Sequence, residues 1–276
     1  AVAGVGAVLF VGVIFVYATT AWIFARKHDV EAPQMRYAGM ASAQEGERLS
    51  KVFSCQGCHG NHGGVLFEAP FVGRIVSPDL SHSNATYGDK DIATLLRAGV
   101  KKDGTTAVIM PADAFSALSD ADIAHLTAWL RSLKPGAETE TQTTNVGPIG
   151  RIMMLMGALP ISASMPRVPT PPVERPTAVL EQGAYFAKVA CTHCHDYDTE
   201  REAEPGLVAP PLRPAALGYD LAQFKQLLRT GKAIGDRELR MMSGAARAGF
   251  AYMTDAEIEA LHAFLLSETS TEPASP

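Results

Sequence analysis

Polar and apolar positions divide the chain into an N-terminal apolar run, two similar amphipathic stretches, and a polar and proline-rich segment between them. Residues 1–25 carry no charged side chain, and Val2–Phe24 is apolar except at Thr19 and Thr20. Twenty-three helical residues rise about 34 Å, enough to cross a hydrocarbon core of about 30 Å. A secretory signal also begins with an apolar run, but its apolar region is about 7–15 residues and ends at a small-residue cleavage site. This run is longer and no clear cleavage site follows it, so residues 1–28 are read as an uncleaved transmembrane anchor.

The amphipathic stretches repeat. Gly46-Glu47-Arg48-Leu49-Ser50-Lys51-Val52 corresponds to Gly183-Ala184-Tyr185-Phe186-Ala187-Lys188-Val189. Leu95-Leu96-Arg97-Ala98-Gly99 corresponds to Leu227-Leu228-Arg229-Thr230-Gly231, a helix that stops at glycine. Leu118-Ser119-Asp120-Ala121-Asp122-Ile123 corresponds to Met253-Thr254-Asp255-Ala256-Glu257-Ile258. Ser119 and Thr254 read as N-caps, with Asp122 and Glu257 at the capping-box position, the aspartate being the weaker version. Each final helix then places apolar residues at helical spacing: Ile123, Leu126, Trp129 and Leu130 in one, Ile258, Leu261, Phe264 and Leu265 in the other. The repeat divides the chain into a first copy over 40–135, a linker over 136–177, a second copy over 178–268 and a tail over 269–276. Within the linker, Gly136–Asn145 is Thr-rich and polar. Ile149–Met165 holds an apolar patch with Met153, Met154 and Met156, expected to pack into an interdomain core, the alternative being a docking surface or a membrane contact. Pro166–Pro176 contains five prolines and should be a stiff, extended connector.

Composition narrows the class. With 47% apolar and 19% charged residues the chain is not disordered, and 276 residues suit two ordinary domains. A formal charge of −5 argues against nucleic acid as a partner. The four cysteines are too few for a disulfide scaffold, but their placement is specific. Cys55-Gln56-Gly57-Cys58-His59 and Cys191-Thr192-His193-Cys194-His195 are both C-x-x-C-H, and together they use every cysteine. Two thiols at this spacing reach the two vinyl groups of one haem, and the adjacent histidine lies beneath the iron. Zinc would want a second ligand pair close behind each C-x-x-C, and a dithiol redox pair a βαβ setting, and neither is apparent.

With these motifs on helix, haem loop, helix and final helix, each copy resembles the mono-haem c-type cytochrome fold. The whole chain resembles a membrane-anchored dihaem cytochrome c: all-α, a transmembrane helix followed by two cytochrome c-like domains. The resemblance implies two covalent haem c groups held by Cys55, Cys58, Cys191 and Cys194, with His59 and His195 as proximal iron ligands. It also implies a methionine on the loop before the last helix as sixth ligand. Met110 takes that place in the first copy. In the second the choice is Met241 or Met242, and the repeat decides for Met242, which follows Gly231 by 11 residues as Met110 follows Gly99. A backbone carbonyl near Pro78 or Pro210 is expected to accept the proximal histidine's Nδ1–H.

Other histidines are read more plainly. His125 and His262 are expected on outward helix faces and His193 facing solvent. His62 is too near His59 to reach the far side of its haem, and His82 stays open as a competing ligand.

The functional expectation is electron transfer on the periplasmic side of a bacterial inner membrane, as a tethered carrier or a subunit of a respiratory or dehydrogenase complex with redox protein partners. The alternative is a dihaem redox enzyme of the peroxidase or thiosulfate dehydrogenase type. Arg26 and Lys27 after the apolar run would place that flank in the cytoplasm. Haem attachment outside the cytoplasm argues the reverse and is given the greater weight.

Overall fold

The computed structural model describes residues 2–60, 63–134, 143–204 and 206–267. Helix α1 is Val2–Ala25. The first copy contains α2 (Ala43–Val52), α3 (Cys55–His59), strands β1 (Gly64–Ala69) and β2 (Gly73–Ser77), α4 (Leu80–Thr86), α5 (Asp89–Ala98), α6 (Ala112–Phe115) and α7 (Asp120–Ser132). Between the copies lie β3 (Asn145–Val146) and α8 (Pro148–Leu155). The second copy contains α9 (Val179–Phe186), β4 (Arg201–Glu204), β5 (Leu207–Ala209), α10 (Leu212–Ala216), α11 (Leu221–Thr230), β6 (Lys232–Ala233), β7 (Arg237–Glu238), α12 (Met241–Ala248) and α13 (Asp255–Leu266).

In each copy the first helix crosses the last at a glycine. A Cβ on Gly46 would stand 1.9 Å from the His125 carbonyl oxygen, and one on Gly183 would stand 2.1 Å from that of Ala260. The absence of a side chain is what lets α2 lie on α7 and α9 on α13. A second contact also repeats. Arg97, one residue inside the end of α5, donates to Leu118 O and Asp120 Oδ1, both at 2.7 Å. Arg229 in α11 donates to Met253 O and to Asp255 Oδ1. Both helices end at a left-handed glycine, Gly99 at φ +64° and Gly231 at φ +73°.

The caps differ as their side-chain lengths dictate. Thr254 accepts from Glu257 N, and the Glu257 carboxylate reaches back to Thr254 N at 2.8 Å. Asp122 is one methylene shorter. There the Tyr185 hydroxyl stands in, accepting Ser119 N–H at 3.1 Å and donating to Asp122 Oδ2 at 2.5 Å.

The two copies share one core. Phe53 and Phe186, both fully buried, bring their rings to 6.4 Å, and Leu49, Leu118, Tyr185, Phe250 and Ile258 surround them. The proline-rich connector lies along the first copy in extended form. Its Pro172 and Val173 carbonyls accept the N–H groups of Asp120 and Ala121, two donors that the start of α7 would otherwise leave unpaired.

Several expectations are corrected. The chain is helix-rich but not all-α: β1, β2 and β3 form an antiparallel sheet, and β4–β5 and β6–β7 form hairpins. The segment 149–165 does not enter the interdomain core. Met154 and Leu159 form a separate small core with Ile75 and Val146, against Ile23 and Phe24 of α1. Most of the polar linker and the tail from 268 onward lie outside the described residues, while Asn145 is paired in β3. Among the described residues no helix is long and apolar enough to cross a membrane.

Candidate haem sites

The two C-x-x-C-H loops are entered differently, because Val52 precedes Cys55 by three residues and Val189 precedes Cys191 by two. In the first copy α2 stops, Ser54 turns left-handed at φ +61°, and α3 begins at Cys55. In the second, a π-turn over Ala187–Cys191 carries the helix straight into the loop.

Both loops then present a histidine in the same state. His59 Nδ1 lies 2.9 Å from Pro78 O, and His195 Nδ1 lies 2.7 Å from Pro210 O. A carbonyl only accepts, so Nδ1 carries a proton, and in the neutral ring this leaves the Nε2 lone pair for a metal. The short hairpins place these carbonyls. Strand β2 ends at Ser77 and β5 at Ala209, so each delivers the next residue, a proline, to its histidine. Ser77 Oγ also donates to Cys58 O at 2.7 Å, and Arg201 to Thr192 O at 2.7 Å, which ties each hairpin to its loop. Burial lowers the His59 pKa, and the Pro78 hydrogen bond only partly opposes this, so the ring is neutral as a ligand must be.

None of the four cysteines is paired in a disulfide. Burial pushes Cys55 and Cys191 up to about 12, with the neighbouring Cys58 and Cys194 adding to the effect, and burial raises Cys58 as well. Among the described residues no three of His, Cys, Asp and Glu converge on a metal position. In each copy the paired thiols and the oriented imidazole fit a covalently attached haem.

Met110 is half-buried against the shared core, on a loop held by Ile109 N–H to Pro160 O at 3.0 Å. Met242 is likewise half-buried on that core together with Cys191, whereas Met241 is 43% exposed. Met242 lies in the first turn of α12 rather than on a loop. That turn is fixed to the end of α11 by Ser243 Oγ, which donates to Gly231 O and accepts Leu239 N–H.

The remaining histidines need correction. His193 is not solvent-facing: its Nε2 is buried with no hydrogen-bond partner, and its ring meets Phe115 edge-on at 5.1 Å. Burial holds its pKa at about 4. His262 is buried rather than outward, 3.0 Å from Tyr219 O and beside the Phe224 ring. His125 is half-buried and accepts Ser42 N–H through Nδ1. His82 is exposed, 3.6 Å from Asp79, and His62 lies outside the described residues. Trp129 is a core residue, and its counterpart Phe264 packs edge-on to Tyr197. The sequence reading missed Phe115, five residues past Met110, which brings the methionine loop of the first copy onto the attachment loop of the second.

A family model described as "Cytochrome C oxidase, cbb3-type, subunit III" matches residues 41–130, and one described as "Cytochrome c" matches 180–269. The fructose dehydrogenase cytochrome subunit of Gluconobacter japonicus is 24% identical over 269 residues, covering 85% of this chain and 54% of that protein. The alcohol dehydrogenase (quinone) cytochrome c subunit of Gluconobacter oxydans (strain 621H) is 33% identical over 112 residues, covering 36% of this chain and 23% of that protein. The chain thus spans about half the length of the first relative and less of the second.

Proposed function

With two cytochrome c domains in tandem carrying two covalently bound haem c groups, we propose that the chain is the electron-transfer subunit of a membrane-bound dehydrogenase complex. It is anchored by α1 in a bacterial inner membrane, with the haem domains on the periplasmic side. The observation that carries this reading is the matched pair of histidines, each turned by a proline carbonyl so that Nε2 is free. The names of the two relatives, both dehydrogenase cytochrome subunits, support the place in a complex.

Bound haem supplies a one-electron couple. Cys55, Cys58, Cys191 and Cys194 would attach the two groups, and His59 and His195, with Met110 and Met242, would hold their irons. Irons held in this way would exchange single electrons and leave no place for a substrate to bind. The anchor is read from the sequence of α1, 24 residues without a charge, and not from a membrane-spanning helix among the described residues, of which there is none. Arg26 stacks on Trp22 at 5.1 Å and Lys27 donates to Asp103 O at 2.6 Å.

The test is spectroscopic. The purified reduced protein should show two low-spin c-type haems and bind little CO. Ready CO binding would turn the reading toward a peroxidase or thiosulfate dehydrogenase type of enzyme. Gentle solubilisation of native membranes should bring the chain out together with a dehydrogenase subunit.

A further inference from the structure

Helix α8 buries only one side. Gly150 and Met154 face the small core, while Ile149 and Ile152 are each 46% exposed and Met156, just past the helix end, is 78% exposed. These three fall at i, i+3 and i+7, one continuous apolar face. The hairpin tip extends it: the Phe71 carbonyl accepts Ile149 N–H at 2.9 Å, and the Phe71 side chain is 70% exposed. The nearest hairpin charges, Glu68 and Arg74, are paired with each other at 2.8 Å.

This face adjoins the last turns of α1. Arg151, on the opposite side of α8, donates to Thr20 Oγ1 at 2.6 Å and stacks over Tyr17 at 4.6 Å. Ile23 and Phe24 pack against the same core as Met154. Thr20 lies five residues before the end of α1, about 7.5 Å along its axis. Trp22, 58% exposed beneath Arg26, stands at the level where aromatic side chains settle between hydrocarbon and headgroups. No acidic residue occurs between 148 and 166.

We propose that the outer face of α8, with Phe71, lies in the interfacial layer of the bilayer that α1 enters. A helix lying in that layer sinks its apolar side about 5–10 Å, the depth at which α8 meets α1. The occupant of the face is lipid, because the face continues the exposed apolar surface of α1 and carries no charge for a protein partner to match. The inference rests on the anchoring reading and adds that the haem domains are clamped to the membrane surface rather than swinging on the tether.

The experiment uses the full haem-loaded chain, purified and reconstituted into nanodiscs of phosphatidylcholine and phosphatidylglycerol. Met156 is the probe and Met40, 93% exposed, the reference. Under a mild methionine oxidant, Met156 should oxidise several-fold more slowly than Met40. Ile152→Glu should bring Met156 close to the rate of Met40 while leaving the haem spectrum and resistance to carbonate extraction unchanged. Equal oxidation in a chain that resists extraction overturns this inference alone. Release of the chain by carbonate overturns the anchor and the inference together. Protection that appears only in the native complex assigns the face to a protein and overturns the lipid assignment.

Discussion

Met241 and Met242 are adjacent, yet Met241 is exposed while Met242 packs against the shared core. If Met242 ligates, Met242→Ala should abolish the near-infrared methionine–iron band of the second haem and open that haem to CO, while Met241→Ala should leave both unchanged. Met110→Ala should open the first haem in the same way. Met110→His should lower its potential by a substantial part of the roughly 0.8 V that axial ligands span. At this scale the attachment residues were legible because thioether chemistry dictates their spacing. The state of His193 was not, because it is decided by Phe115, which is 78 residues away in sequence. The burial of His262 was likewise hidden, since Tyr219 and Phe224 come from another helix and the turn before it.

Helix starts and stops were readable because caps and terminal glycines are local, and Ser119, Thr254, Gly99 and Gly231 all cap as their types suggest. The hairpins were not readable. Strands of three to six residues, with Gly64 and Gly73 in the first hairpin, show too little alternation to stand out from a loop. The role of β1–β2 and β4–β5 is positional: each ends one residue before the proline that orients a histidine. The repeat aligned Gly46 with Gly183 without giving the reason, which is the close approach of a backbone carbonyl to each. Gly46→Ala and Gly183→Ala should therefore each destabilise the protein by about 1–3 kcal/mol or more in thermal unfolding, the cost of forcing atoms into a filled interface. Because the contact is the same in both copies, the two losses should be similar. A large loss at one position and none at the other would mean that the copies do not share this crossing.

What joins the copies is a polar cluster set into the shared core. Arg48 donates to Glu45 and Glu257, and Arg175, brought in by the proline-rich connector, donates to Glu45, Asp122 and Glu257. Arg48 and Tyr185 occupy equivalent positions in the repeat, and each reaches the capping carboxylate of the other copy's final helix. The cluster therefore follows the approximate twofold relation of the copies at Arg48 and Tyr185, while Arg175 and Glu45 have no counterpart in it. Removing Arg175 would leave the buried Asp122 carboxylate without its cation, while Glu45 and Glu257 keep Arg48, so Arg175→Met should cost about 3–5 kcal/mol. Arg175→Lys should not restore this, because an ammonium lacks the planar fork that serves three acids at once. The cluster also sets an acid dependence. Burial pushes the Glu45 carboxyl up, but the hydrogen bonds and charges of Arg48 and Arg175 outweigh it and hold the pKa at about 2, against an ordinary 4.5. A carboxyl with a depressed folded-state pKa stabilises the fold above its unfolded value and loses that contribution as pH falls toward the folded one. Thermal stability should thus fall between about pH 4.5 and about pH 2 in the parent protein. Glu45→Gln has no proton to bind there, so it should be less stable at neutral pH and show a shallower acid slope through the same window. Parallel slopes in the two proteins would mean that Glu45 titrates alike in the folded and unfolded chain, and that the cluster does not hold the copies together through it.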